Sequence, residues 1–174
     1  MSNIILYLGA RGSGKTLSMV KDAYIEYMRG RRVITNMEDV SFGEHMSNDE
    51  IKKLTKESDL YNAVLLIDEA QIFFDSRRSM KKENLNFSYF VLQTRKRNID
   101  IYFTTQFSNT IDRRIRDNID YVAYPHYISD YYVCEVEYID NTSLEDPYLI
   151  EPKKTKIFFN ALQVFNLYDT NETI

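Results

Sequence analysis

The residues best suited to chemistry stand in "GARGSGKT", Gly9 to Thr16. Gly9, Gly14, Lys15 and Thr16 fit G-x-x-x-x-G-K-[ST], a spacing that builds a phosphate cradle. The two glycines let the backbone curl so that successive N–H groups face phosphate oxygens, and Gly12 adds freedom. Lys15 is placed to reach the β- and γ-phosphates, and the Thr16 hydroxyl to meet Mg²⁺. Ala10, Arg11, Ser13 and Leu17 complete the nucleotide-binding stretch. An apolar run, "IILYL", precedes the turn and a helical pattern follows it. The positive end of that helix would face the same anion.

A cradle alone hydrolyses nothing. In "AVLLIDEAQ" an apolar strand ends at Asp68, and ligands gather at the carboxyl ends of strands in open α/β sheets. Asp68 is therefore the expected Mg²⁺-water ligand, and Glu69 the residue that orients or deprotonates a water. The bland alternative is that Asp68 and Glu69 only cap the next helix. "IDIYFTTQ" carries another strand to Thr104, Thr105 and Gln106. The Gln106 amide could bond both γ-phosphate and attacking water and so sense the phosphate. Its bland alternative is a strand-end amide bonded to backbone.

The elements needed to position these groups are legible as alternating strands and helices. Strands are expected at Ile4–Leu8, Arg32–Thr35, Ala63–Ile67, Ile99–Thr104 and Tyr121–Tyr124. Leu17, Val20, Tyr24, Tyr27 and Met28 recur at helical spacing, with Gly30 as a stop. Ser47 and Glu50 form a capping box that opens a helix to about Lys56. Leu85, Tyr89 and Leu92 mark a helix towards Arg97, and Ile111, Ile115 and Ile119 another. This alternation predicts an α/β fold with a mostly parallel sheet covered on both faces. From about residue 126 the character changes. "YYVCEVEYID" puts Glu135 and Glu137 on one face, and "KTKIFF" could pair with it as an antiparallel addition.

At 174 residues, one domain over 1–174 is expected. The content is ordinary for a globular chain, 44% hydrophobic and 28% charged. Cys134 is the only cysteine, which excludes internal disulfides and a cysteine-rich zinc site and fits a reducing compartment. No apolar run approaches the roughly 20 residues of a membrane span, and no signal-peptide pattern opens the chain. The expected location is cytoplasmic, the host cytoplasm for a viral protein. With a net charge of −4, any nucleic-acid contact must come from local basic clusters. His45 and His126 lack metal-ligand partners at useful spacing and read as structural.

Together, the phosphate loop, "LLIDEAQ", "TRKRNIDIYFTTQ", "IDRRIRDNIDYVAY" and the closing "VFNLYDTNE" resemble the FtsK/HerA branch of P-loop ATPases. Within it, the chain is most similar to compact DNA-packaging ATPases of archaeal viruses and to zonular-occludens-toxin-like phage assembly proteins. The loop is common to all P-loop proteins; "TTQ", a helix and "NIDYVAY" are more specific. The toxin-like proteins normally carry a membrane segment, which this sequence does not show. The resemblance implies a RecA-like core binding ATP and Mg²⁺, a homo-oligomeric ring, usually a hexamer, and ATP-driven movement of DNA, taken as double-stranded. For a viral motor it also implies a docking protein on a capsid or membrane.

Three basic clusters take their meaning from that frame. Arg77, Arg78, Lys81 and Lys82 in "RRSMKK" read as a loop facing the channel and contacting phosphates, or as a solvated charge run. In "TRKR", Arg95 and Arg97 are candidates for an arginine finger reaching a neighbour's nucleotide; the alternative is favourable charge at a helix end. "RRIR", Arg113 to Arg116, reads as the wet face of an amphipathic helix with a possible subunit contact. The competing function is a P-loop ATPase or kinase acting on something other than DNA, or an ATPase of phage assembly or secretion.

Overall fold

The computed structural model describes residues 2–72, 82–141 and 151–168. β1 (Ile4–Leu8), β4 (Ala63–Ile67) and β5 (Ile99–Thr105) are short apolar runs buried nearly throughout, as strands covered on both faces must be. With β2 (Arg32–Thr35), β3 (Glu44–His45), β6 (Tyr121–Ile128), β7 (Val133–Asp140) and β8 (Lys154–Asn160) they form an eight-stranded sheet. Its order is β3-β2-β4-β5-β1-β6-β7-β8. Every pairing from β3 to β6 is parallel, and β6–β7 and β7–β8 are antiparallel. The mostly parallel sheet and its antiparallel addition are as expected. The two-residue β3 carries too little pattern to be seen in the sequence.

One face of the sheet is covered by α1 (Lys15–Met28) and α5 (Leu162–Phe165), through Leu17, Met19, Val20, Ala23 and Val164. The other is covered by α2 (Asn48–Lys52), α3 (Lys82–Gln93) and α4 (Arg113–Arg116), through residues including Ile51, Phe87, Phe90, Val91 and Ile115. α1 stops as expected, with Gly30 at φ 85° just past its end. Tyr24 and Tyr27 leave the core to pack on Phe42, with ring centroids 5.2 and 5.3 Å away, and Met28 is exposed.

Several boundaries differ from the sequence reading. The capping box forms: Ser47 Oγ accepts the Glu50 N–H and Glu50 accepts the Ser47 N–H over 2.8 Å. The helix nevertheless ends at Lys52 rather than near Lys56, and Thr55 and Ser58 close a turn instead. On α3, Tyr89 and Leu92 face solvent, while Phe87, Phe90 and Val91 make the core contact. Ile111, Ile115 and Ile119 are all buried, yet only Arg113–Arg116 is helical. Asp112 caps that turn through the Arg114 N–H, and Asn118 bonds back to the Arg114 carbonyl and ends it. β6 runs four residues beyond Tyr124 and through Pro125. Its pairing with β1 has ended by then, at Tyr7 with Ala123, so no ladder partner is lost to the proline.

Candidate nucleotide site

The carboxyl ends of β1, β4 and β5 open into a cleft of about 230 Å³, bounded by Arg11, Lys15, Thr16, Asp68, Glu69 and Gln71, with the strand end Thr104–Gln106 completing it. The Gly9–Thr16 turn links β1 to α1. Gly14 sits at φ 91°, which requires glycine, and a Cβ on Gly9 would lie 2.6 Å from Ser13 Oγ and force that hydroxyl to turn away. Gly14 caps α1 without a side-chain bond, and the first turn of α1 carries no acidic residue. The helix therefore offers its N–H groups and positive end to an anion. Ser13 Oγ is buried with no hydrogen-bond partner among the described residues, an oxygen suited to a phosphate. Lys15 Nζ folds back 2.8 Å onto the Ala10 carbonyl, at the rim of the turn.

Asp68 is the hub. Its Oδ1 accepts from Thr16 Oγ1 at 3.1 Å and from Thr104 Oγ1 at 2.6 Å, joining α1, β4 and β5. Asn36, just past β2, grips the same residue by its backbone: Oδ1 accepts the Asp68 N–H over 2.8 Å and Nδ2 donates to the Asp68 carbonyl over 3.1 Å. Glu69 takes the left-handed conformation, φ 52°, and its N–H is held by Thr104 Oγ1 at 2.9 Å. A glutamate in that region carries strain that the surroundings must impose, and such strain collects at working sites. Gln106 stands among the residues that line the cleft.

Asn36, Gln71 and Thr104 are site residues that motif reading passed over as working parts. "TTQ" drew attention to its amide, whereas the hydroxyl of Thr104 ties Asp68 to Glu69. Gln71 lines the cleft with a buried amide oxygen lacking a partner among the described residues. Its signal was present in "DEAQ", two residues after Glu69. Asn36 follows β2 with no motif around it.

Thr16 and Asp68 supply two hard oxygen donors in contact, a set that fits Mg²⁺ held jointly with a ligand's phosphates. Among the described residues, no group of three or more His, Cys, Asp or Glu side chains could hold a metal alone.

Behind the loop, the antiparallel strands brace it. The Tyr127 N–H donates to the Ser13 carbonyl over 3.0 Å. A Cβ on Gly14 would meet Cys134 Sγ at 3.1 Å and Tyr127 Cβ at 3.2 Å. Further along α1, Asp22 accepts from Tyr7 and Tyr138 at 2.6 and 2.5 Å and pairs with Lys21 at 2.8 Å. Burial, then the nearby Asp22 charge, pushes both phenols well above their ordinary range.

The remaining candidates lie elsewhere. Arg95 and Arg97 stand at the amino ends of the strands, away from this chain's own loop. Arg95 pairs with Asp120 over 2.5 Å with 64% of its side chain exposed. Arg97 donates to the Ser58 and Lys56 carbonyls and lies 5.2 Å from the Tyr61 ring, so its fork is already bound within its own chain. Of the two, Arg95 is the freer to reach outward. Arg113 is exposed and pairs with Asp117, and Arg114 pairs with Asp112, as a wet face should. Arg77, Arg78 and Lys81 fall outside the described residues; Lys82 opens α3 but its side chain also lies outside them.

No curated protein matches the sequence significantly. Among solved structures, the N-terminal domain of zonular occludens toxin from Neisseria meningitidis is similar at 21% identity and a TM-score of 0.70, over 97% of this chain and all of that one. The genome packaging NTPase B204 of Sulfolobus turreted icosahedral virus 2, in complex with sulfate, is similar at 15% identity and a TM-score of 0.60, over 89% of this chain and 95% of that one. The same NTPase with ATP-gammaS aligns at 14% identity and a TM-score of 0.52, over 71% and 73%. These likenesses show a shared fold, that of P-loop NTPases. The zonular occludens toxin (Zot) family matches residues 43–171, beginning after the phosphate loop and taking in Asp68, Glu69 and Gln106. On that match, carried over most of its length, the chain belongs to the Zot family.

Proposed function

We propose that the chain is an ATP-hydrolysing motor that moves DNA, as a genome-packaging enzyme does. The observation that carries the hydrolytic part is the meeting of Thr16 and Thr104 on one oxygen of Asp68 beside the glycine turn. In this reading the turn and Lys15 bind the β- and γ-phosphates. Thr16 and Asp68 would hold Mg²⁺, which would supply positive charge to the phosphate oxygens. Glu69 takes a proton from the attacking water, and Gln106 bonds both water and γ-phosphate. ATP and water give ADP, phosphate and a proton. B204 is named as a genome packaging NTPase, and its likeness in fold supports an ATP site here.

DNA as the cargo rests on the basic run Arg77, Arg78, Lys81 and Lys82 and on the FtsK/HerA resemblance. Phosphate contacts are blind to sequence, which suits a motor. A hexameric ring with Arg95 completing a neighbour's site, and a capsid or membrane docking protein, belong to the same proposal. The Zot match favours a second reading, an ATPase that drives phage assembly or secretion. The deciding experiment is ATP turnover with and without duplex DNA over a range of protein concentrations. A packaging motor gives DNA-stimulated turnover that rises per chain as rings assemble. In Arg78→Ala with Lys81→Ala, stimulation is lost, basal turnover persists and the salt slope of DNA binding falls by about 0.9 per phosphate contact. DNA-independent turnover points to the assembly reading.

A further inference from the structure

The cleft described above is lined by groups suited to phosphates, magnesium and water, and among the described residues bounding it none offers a face to a nucleoside. The topology says where one must be. The groups placed at the γ-phosphate come from β4 and β5, which lie on one side of β1. The phosphates run along the turn that leaves β1, so the nucleoside end leaves on the other side. There stands β6, and the tip of the β6–β7 hairpin rises at the same carboxyl end of the sheet.

That tip is aromatic. Tyr127 is joined to the turn by its N–H bond to Ser13, and its Cβ lies against Gly14. Tyr127 pairs with Cys134, and Tyr132 closes the short 3-10 turn Ser129–Tyr131 at the hairpin tip, immediately before β7. The phenol of Tyr127 is buried without a hydrogen-bond partner among the described residues. Burial, with Tyr132 and Cys134 beside it, raises its pKa. Its ring is braced edge-on by Phe165, 6.1 Å between centroids. Tyr132 is 48% exposed and held at φ 50°, a conformation that a tyrosine adopts only under constraint. The adjoining backbone fixes it, because the Tyr132 N–H bonds the Ser129 carbonyl and its own carbonyl accepts the Ala161 N–H.

We propose that Tyr127 and Tyr132 form the seat of the nucleotide base, with Tyr132 as the stacking ring and the Tyr127 hydroxyl as a hydrogen-bonding partner at its edge. This rests on the phosphate-site reading and extends it to the other end of the ligand. A ring face accepts any base, so the seat favours large purines over pyrimidines and separates ATP from GTP weakly. That tolerance suits a motor that needs phosphate energy rather than a particular base.

The test is calorimetric titration of the intact chain with Mg·ATP, Mg·CTP and Mg·tripolyphosphate, the last having phosphates and no base. Tyr132→Gly removes the ring, and glycine accepts φ 50° without strain, so the fold is preserved. Tyr132→Phe keeps the ring. Stacking on an aromatic side chain corresponds to about 5- to 150-fold in affinity. Tyr132→Gly should weaken Mg·ATP by that factor and Mg·CTP by less, and leave Mg·tripolyphosphate unchanged; Tyr132→Phe should match the parent for all three. Equal weakening of Mg·ATP and Mg·tripolyphosphate in Tyr132→Gly would show that the tyrosine only supports the turn, and overturns the seat. Unchanged Mg·ATP affinity in Tyr132→Gly overturns it as well. Failure of the parent chain to bind Mg·tripolyphosphate would instead overturn the phosphate-site reading, and the seat with it.

Discussion

Thr104 Oγ1 donates to Asp68 Oδ1 over 2.6 Å and accepts the Glu69 N–H over 2.9 Å, so one hydroxyl on β5 fixes both acidic residues on the end of β4. Thr104→Val keeps the shape and removes both bonds. Outer-shell partners of metal ligands typically matter by 10- to 100-fold, so ATP turnover should fall by about that factor. Unfolding free energy should drop by about 1–3 kcal/mol, because the Glu69 N–H loses its acceptor. Thr104→Ser should restore turnover. Turnover in Thr104→Val equal to that of the parent sinks the assignment.

Lys15 and Glu69 should divide binding from chemistry. Lys15→Ala should lose ATP affinity, since charge-assisted hydrogen bonds contribute roughly 1.5–3 kcal/mol each. Glu69→Gln should hold ATP and fail to turn it over. Glu69→Gly tests the strain as well: glycine accepts φ 52°, so thermal stability should not fall and should rise by up to about 1 kcal/mol while hydrolysis is lost. Retained turnover in Glu69→Gln would falsify the choice of base.

Asn36 should prove as important to the site as residues inside the motifs. Asn36→Leu leaves the Asp68 N–H and carbonyl without their amide partner. Each buried backbone group left unpaired costs about 1–3 kcal/mol. Chemical denaturation should register a loss of that order, together with a higher Mg²⁺ requirement. A stability change below about 0.5 kcal/mol would mean that water replaces the amide.

Cys134 offers a probe behind the phosphate loop. Its side chain is fully buried, and burial pushes the thiol pKa up, with the Ser18 hydroxyl 3.5 Å away opposing in part. Because the folded pKa is raised, the neutral thiol is the form the fold favours. That contribution is intact below the ordinary thiol pKa and is lost as pH rises through the raised value. Thiol reagent at pH 8 should therefore react slowly with native protein and rapidly in denaturant. Native-state labelling as fast as in denaturant would contradict the burial.

The phosphate loop, Asp68 and Glu69 could be read from the sequence because their mechanism demands residue types at fixed short spacings next to apolar strands. β6 extends past the expected Tyr121–Tyr124 through Pro125, and the end of its pairing with β1 at Ala123 makes the proline harmless. Ile111, Ile115 and Ile119, expected on one helix, are all buried, yet only Ile115 is helical: periodicity reports burial, and the Asp112 and Asn118 side chains decide where the helix starts and stops. On α3, Tyr89 and Leu92 show the converse, since apolar type did not ensure burial. Asn36 and the brace from Tyr127 to Ser13 join residues 32 and 114 positions apart, a relation that no local pattern encodes.

The position of β1 sets the order in which the molecule can be built. Its two neighbours, β5 and β6, arrive only with residues 99–105 and 121–128, so β1 has no sheet partner while the residues between are being made. The turn that follows it is propped last, by Tyr127 and Cys134. Such long-range closure is slow, and it exposes an apolar strand in the meantime. Nucleotide should therefore stabilise the loop only after β5, β6 and β7 have closed around it, and act on a late step of folding.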